Sequence, residues 1–528
     1  MKRLIAMMLV LALLLCGCGG GAKNALGFSG IVKFEDMEYT RPDMGKVAEL
    51  CEAAIAEGEK GRDVDAVLNA VWDFFDIYDE FVTSFDLAYI HYQANLTDFY
   101  WQTEYEWCAE ELITLDKHLE DLYCALALSS LRDELEEEYF GEGFFLSYDE
   151  GGMYNEELMA LLEQEQALVS EYYTLSGESQ EEEAYSEAYF EAYTQPLAQL
   201  LAELTATRQD IALAAGYDSY PEFVWDFYYY RDYTAEEAAA YLEDIRRELV
   251  PLYENLDGEV FAVAEEFASE EEVFSYVQTA AEEMGGVVWE AFRLLDEAEL
   301  YDLSASPNKS GISFETYLSR YYEPYVFLSG TGTAYDKLSF AHEFGHFATD
   351  YAATGSGAGI DVLEVFSQGM EYLSLYYAGA DDAIVDMKLA DSLCTYVEQA
   401  GYAAFEMALY ALDAEELTAE KVLEVYEQTG RSYAFDAVEW DPREVITVPH
   451  FYSNPMYIIS YVVSNDSAMQ FYQLEQDAPG AGLEVFQDHL STESYYFLEF
   501  LEEAGLNSPF VPGRVAELRK TLEAALKS

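Results

Sequence analysis

Residues 342–346 read His-Glu-Phe-Gly-His. That spacing brings the two histidines together only on a helix. There His342 and His346 stand one turn apart on one face, where two imidazoles can grip a single ion. Glu343 projects about 100° around the axis, beside such an ion rather than on it. From that position its carboxylate can accept a proton from water held by the metal. The chain has 6 histidines in 528 residues, so two of them in this pattern are a specific signal of an H-E-x-x-H zinc helix. Gly345 leaves room near the site.

Two histidines do not complete a catalytic zinc site. A third protein ligand is needed, with a fourth position left to water. The segment DVLEVFSQGME at 361–371 offers candidates. Glu364 and Glu371 share a helical face with Gln368, and either is a natural third ligand. Asp361 also stays open. Asp336 is suited to capping the helix that carries the histidines. His91, His118 and His489 have no motif around them and read as structural or surface residues.

Most of the chain has helical periodicity. Apolar residues recur at three- and four-residue spacing over 44–58, 65–96 and 105–138. Glycines break the pattern at 140–152, a loop or short hairpin. Helices resume over 154–214, interrupted by a solvated acidic connection at 177–184. Thr234 and Glu237 have capping-box spacing and open a helix running to about residue 256. Residues 272–300 are helical again. Segment 301–336 is richer in Gly, Ser, Pro and β-formers and is the place for strands, above all 325–328. Helices dominate from 361 onward, with one break at 440–456, and no internal repeat is present.

The net charge is −77, from 26 basic and 103 acidic residues. It excludes nucleic acid as a partner, because that demands a basic face. It also disfavours docking on anionic lipid. It suits solubility, and it is compatible with attraction for cationic peptides. The chain is not disordered, since 51% hydrophobic residues and 45 tyrosines furnish a large core. Its length suggests two or more folding units.

The first residues have the pattern of a targeting segment. Lys2 and Arg3 precede an apolar run from residue 4 to residue 15, too short for a comfortable membrane span. Leu15-Cys16-Gly17-Cys18 follows and resembles a bacterial lipobox. Cys18 fits as the lipidated residue, with Leu15 three positions before it and Gly17 just before it. An ordinary secretory signal is the alternative. The reading gives a lipoprotein signal peptide at 1–17 and a flexible tether at 18–35. Lipid on Cys18 would then hold the mature protein to the membrane, outside the cytoplasm. Cys51, Cys108, Cys124 and Cys394 remain, and their spacing fixes no disulfide pairing.

The segments DKLSFAHEFGH (336–346) and EVFSQGME (364–371) resemble the thimet oligopeptidase and oligoendopeptidase F family of zinc metallopeptidases. In that family the third ligand is the first glutamate of E-x-x-S-x-x-x-E, which falls on Glu364. Glu371 then becomes a supporting residue. The segment PYVFLSGTGTAYD (324–336) is similar to the family's edge strand and Gly-Thr loop, which lie alongside bound peptide. VPHFYSNPMYIISY (448–461) resembles its P-H-F-Y segment. That likeness implies that His450, Tyr457 and Tyr461 face the zinc and hold the substrate carbonyl; Tyr452 is also within reach in sequence. GYDSYPEF at 216–223 is similar to the opening of the family's catalytic domain. Thr349 stands where many relatives have a further histidine.

The resemblance covers about residues 200–510. It implies a mainly α, prolate, two-lobed metallopeptidase with a small β-sheet beside the zinc site and a deep substrate channel. An N-terminal helical domain would span 36–200 and the catalytic domain 201–528, holding one Zn2+ per chain. The implied activity is a monomeric endopeptidase acting on short unfolded oligopeptides. A peptide-binding lipoprotein without turnover and a zinc carboxypeptidase are the alternatives.

Overall fold

The structure is a computed structural model that describes residues 31–141, 143–148, 151–179, 186–355, 357–437 and 440–526. The signal segment and Cys18 lie outside the described residues. Helices α1 (Met44–Lys60), α2 (Val64–Ala94) and α3 (Phe99–Ala127) pack on one another. Each opens at an aspartate, Asp43, Asp63 or Asp98, whose carboxylate accepts first-turn backbone N–H groups. Helix α3 stops well short of residue 138. Ser129 and Ser130 turn back to donate hydrogen bonds to the carbonyls of Gly58 and Gly61 at the end of α1. Phe144–Tyr148 then forms a 3-10 turn rather than a hairpin.

Helices α4 (Glu156–Ser179) and α5 (Glu187–Ala214) pack together, and α5 runs unbroken through residue 200. Arg208 on α5 is wholly buried. It bonds Glu165 of α4 at 2.6 Å, the Phe451 carbonyl at 3.0 Å, and the Tyr452 carbonyl. Thr234 and Glu237 form the anticipated capping box. Their helix ends at Glu248, because Pro251 lacks the N–H a continuous helix needs and opens a separate turn. The stretch after it is likewise two helices, Glu270–Met284 and Gly286–Glu297, parted at Gly285 with φ 65°.

Strands β1 (Tyr301–Asp302), β2 (Phe314–Leu318) and β3 (Glu323–Phe327) fall in the segment expected to hold strands. Their order is β1-β3-β2, with β1 parallel and β2 antiparallel to β3. The middle strand β3 is buried along its length. Helix α2 lies against β2: Thr83 Oγ1 accepts the Arg320 N–H at 2.9 Å, and the Tyr89 ring sits 4.7 Å from Phe314. The N-terminal helices are thereby tied to the sheet.

Helix α6 (Asp336–Ala353) carries HEFGH and packs on β2, β3 and α7 (Ile360–Tyr377). Next come α8 (Asp382–Cys394) and, after the break, α9 (Ile459–Asp477), which packs along α7. A large apolar core runs through the molecule from Met37 to Leu522, with a second small cluster at Ala88, Tyr92 and Tyr105. The result is a mainly α, two-lobed protein with a small three-stranded sheet beside α6. No described helix is long and apolar enough to cross a membrane.

Gly345 sets the distance between α6 and α7. A Cβ there would lie 2.6 Å from Ser367 Cα and 2.8 Å from the Phe366 carbonyl oxygen. Those are backbone atoms of α7 and cannot rotate aside. Gly345→Ala should therefore push the helices apart and destabilise the protein by about 1–3 kcal/mol. Urea unfolding measures this; an unchanged midpoint would mean that the close approach is not needed.

Candidate metal centre

Helices α6 and α7 bring His342, His346 and Glu364 together, with one ligand atom from each lying within 4.8 Å of the others. His342 Nε2 is 3.3 Å and His346 Nε2 is 3.8 Å from the Glu364 carboxylate. Donors about 2.0–2.1 Å from one tetrahedral ion lie about 3.4 Å apart, so this trio matches the grip of a single zinc. Two imidazoles and one carboxylate also suit Zn2+ by donor type.

Two of the three donors, His342 and Glu364, are oriented from behind. Glu371 Oε1 accepts from His342 Nδ1 at 2.8 Å. That fixes the tautomer which leaves the Nε2 lone pair pointing at the trio. Lys388 Nζ in turn sits 2.6 Å from Glu371 and 3.2 Å from Asp391, and the Tyr335 hydroxyl donates to Asp391 at 3.2 Å. Glu364 is held by two donors, Ser367 Oγ at 2.8 Å and the Tyr457 hydroxyl at 2.5 Å. The structure thus separates the three acidic candidates. Glu364 joins the histidines and Glu371 supports one of them. Asp361 instead accepts from Arg231 at 3.3 Å and Tyr233 at 2.8 Å.

The local electrostatics follow from burial and partners. Burial opposes charge on His342, yet its hydrogen bonds to Glu364 and Glu371 prevail and raise its pKa. Burial also opposes charge on Glu364, but His342 and its other partners bring it down to about 2. Burial lowers His346 to about 4. Glu343, 7% exposed, is pushed up to about 7 by burial, the direction that makes a carboxylate a better proton acceptor.

The segment 450–461 closes the other side. His450 Nε2 and the Tyr461 hydroxyl are 3.2 Å apart. The rings of His450, Tyr457 and Tyr461 form a triangle with centroids 5.2–5.8 Å apart. Tyr452 does not join them: it is fully buried and donates to the Leu197 carbonyl. Asp336 is the first residue of α6 rather than its N-cap. Its carboxylate instead accepts from the backbone N–H groups of Thr331 and Gly332, fixing the loop before the helix. Thr349 donates to the Gly345 carbonyl at 2.9 Å. Of the remaining histidines, His91 stacks on Trp101 and His489 bonds the Val485 carbonyl. Cys51, Cys108, Cys124 and Cys394 are free thiols.

Lys388, Asp391 and Tyr335 were not apparent from the motifs. A usable signal existed: Lys388 is the one cation of an acidic helix, three residues before Asp391 and so on one face with it.

Comparison with known proteins places this geometry. Residues 34–149 match the family model of the Peptidase M3 N-terminal domain. No curated protein matches the chain. The structure of PZ peptidase A with an inhibitor is 20% identical with a TM-score of 0.84, over 94% of this chain and 99% of that one. A Bacillus anthracis protein assigned as an oligoendopeptidase F is 21% identical with a TM-score of 0.79, over 94% and 99% of the two chains. Oligoendopeptidase F from Enterococcus faecium is 16% identical with a TM-score of 0.60, over 92% and 97%. At such identities the structural likeness carries the fold alone. The chain therefore shares the fold of the oligoendopeptidase F structures, and its residues 34–149 are similar to the N-terminal domain of M3 peptidases.

Proposed function

We propose that this peptidase is a zinc-dependent oligopeptide endopeptidase that works outside the cytoplasmic membrane. The observation that carries the reading is the trio of half-buried His342 and His346 with buried Glu364, and Glu343 beside it. A bound zinc ion would supply Lewis-acid chemistry, acidifying water and polarising a peptide carbonyl. The chain's own groups do the rest. A Glu343 carboxylate oxygen takes a proton from the attacking water and hands it to the leaving amine. His450 and the Tyr461 hydroxyl are placed to donate to the oxyanion that develops on the carbonyl. Tyr457 holds Glu364 in position and stands within the same aromatic triangle.

A channel between an N-terminal wall (36–200) and the catalytic part (201–528) would admit unfolded peptides only. Its support is a set of tyrosines drawn from both parts, Tyr89 and Tyr173 from the N-terminal helices and Tyr228, Tyr457 and Tyr461 from the later part. All keep part of their surface open, while burial raises their hydroxyl pKa. That combination belongs to the walls of a recess. The reading takes the protein as a monomer, tethered by lipid on Cys18.

Glu343→Gln should lower cleavage of an internally quenched peptide by about 10²–10⁴-fold while bound zinc stays at one per chain. Unchanged cleavage would remove Glu343 from the mechanism; a wild type that cuts nothing would leave a peptide-binding protein. A peptide with a blocked C-terminus should still be cut, which a carboxypeptidase would not do. Glu371→Gln should weaken zinc affinity by about 10–100-fold in chelator competition. Cys18→Ala should abolish incorporation of labelled palmitate and release the protein from the membrane fraction. Retention of both would overturn the anchor.

A further inference from the structure

A second set of buried acidic groups lies between α2 and β2 and takes no part in gripping metal. Asp86 on α2 is 6% exposed, and its Oδ2 has no hydrogen-bond partner. Among the described residues, Thr316 on β2 bonds its carboxyl. One residue earlier on that strand, Glu315 also buries an oxygen, Oε1, without a partner. Glu315 lies in the field of Asp350, Glu343 and Asp86, and among the described residues no lysine or arginine pairs with it or with Asp86. Arg320, two residues past the end of β2, is engaged by Glu80. Two carboxyl groups withdrawn from water without a cation are costly in any fold.

Tyrosines stand around them. Tyr89, one turn beyond Asp86 on α2, has its ring 5.4 Å from that of Tyr105, and Tyr105 lies 6.2 Å from Tyr173. Phe314 on β2 closes on Tyr89 at 4.7 Å. Tyr89 and Tyr173 each keep part of their surface open. Tyr173 bonds the side chain of Ser453, three residues after His450. The recess therefore extends from the proposed base Glu343 to the segment that carries His450.

We infer that this recess receives a lysine or arginine side chain of the bound peptide, with Asp86 and Glu315 meeting its charge and the tyrosines its stem and face. The inference rests on the peptidase reading above. Carboxylates supply the charge-assisted hydrogen bonds a cation needs. Aromatic faces attract it through the ring quadrupole. An apolar side chain of similar length would leave the two buried oxygens as unpartnered as before, so the site discriminates by polarity and charge rather than by size. The strongly acidic surface would draw such peptides in, in a salt-dependent way.

The test uses the whole protein and a set of internally quenched peptides that differ only in one residue, Lys or Met, walked through each position around the cut. At one position Lys should raise kcat/KM about tenfold over Met, mainly through KM. Asp86→Asn should bring that ratio close to one, and Glu315→Gln should lower it as well. Thermal melts establish that both variants fold; if Asp86→Asn does not, Glu315→Gln carries the test. A wild-type ratio near one at every position overturns the subsite and leaves the peptidase standing. So does a ratio unaltered in the folded variants. If the wild type cleaves none of the peptides, the peptidase reading falls and takes the subsite with it.

Discussion

The site depends on the contact of α6 with α7 at Gly345. Two helices meeting backbone to backbone can bring a carboxylate on one within reach of two imidazoles on the other. With ordinary side chains between them they stand about 8–10 Å apart. The glycine removes one side chain at the point of closest approach, where the Ser367 Cα and the Phe366 carbonyl would collide with any Cβ. The fourth residue of HEFGH, Gly345, therefore matters although it is neither a proposed ligand nor the proposed base. Thr349 reinforces the same turn by bonding the Gly345 carbonyl.

A second theme is the use of scarce positive charge. Against 103 acidic residues the chain has 26 basic ones, and Arg208, Arg231, Lys309, Lys388 and Arg514 are all buried. Each neutralises a carboxylate from another part of the fold or of its own loop: Glu165, Asp361, Asp302, Glu371 and Asp466. Removing one partner of such a pair would strand the other charge in low dielectric. Two of these pairs sit directly behind the metal centre. Lys388 backs Glu371 behind His342, and Arg231 holds Asp361 one turn before Glu364. The recess at Asp86 and Glu315 departs from this rule, which is why it invites a cation from outside.

Much of the fold and the site was legible in the residues. The two-histidine helix, the placement of strands in 301–336 and the capping box at Thr234 follow from local rules that tertiary context did not override. Glu364 could not be separated from Glu371 by spacing alone, because both lie on the same helical face and only the position of α6 decides between them. The helix ends at Ala127 and Glu248 were misjudged for different reasons. The first is set by serines bonding a distant helix end, which periodicity does not record. The second was written in Pro251 and could have been read. Asp336 shows a further limit: its location at a helix start was apparent, but its bond to the preceding loop needed the loop's path.

Arg208 has a consequence for how the proposed catalytic residues are inherited. It grips the His450 segment through the carbonyls of residues 451 and 452, and every amino acid offers a carbonyl. The side chains at those two positions can therefore drift without loosening this grip, whereas the arginine has no substitute of the same reach and geometry. The specification for where His450 stands is stored more than two hundred residues upstream, on a helix that touches no ligand. A sequence comparison confined to the zinc helix and the P-H-F-Y segment would overlook the residue on which their alignment turns.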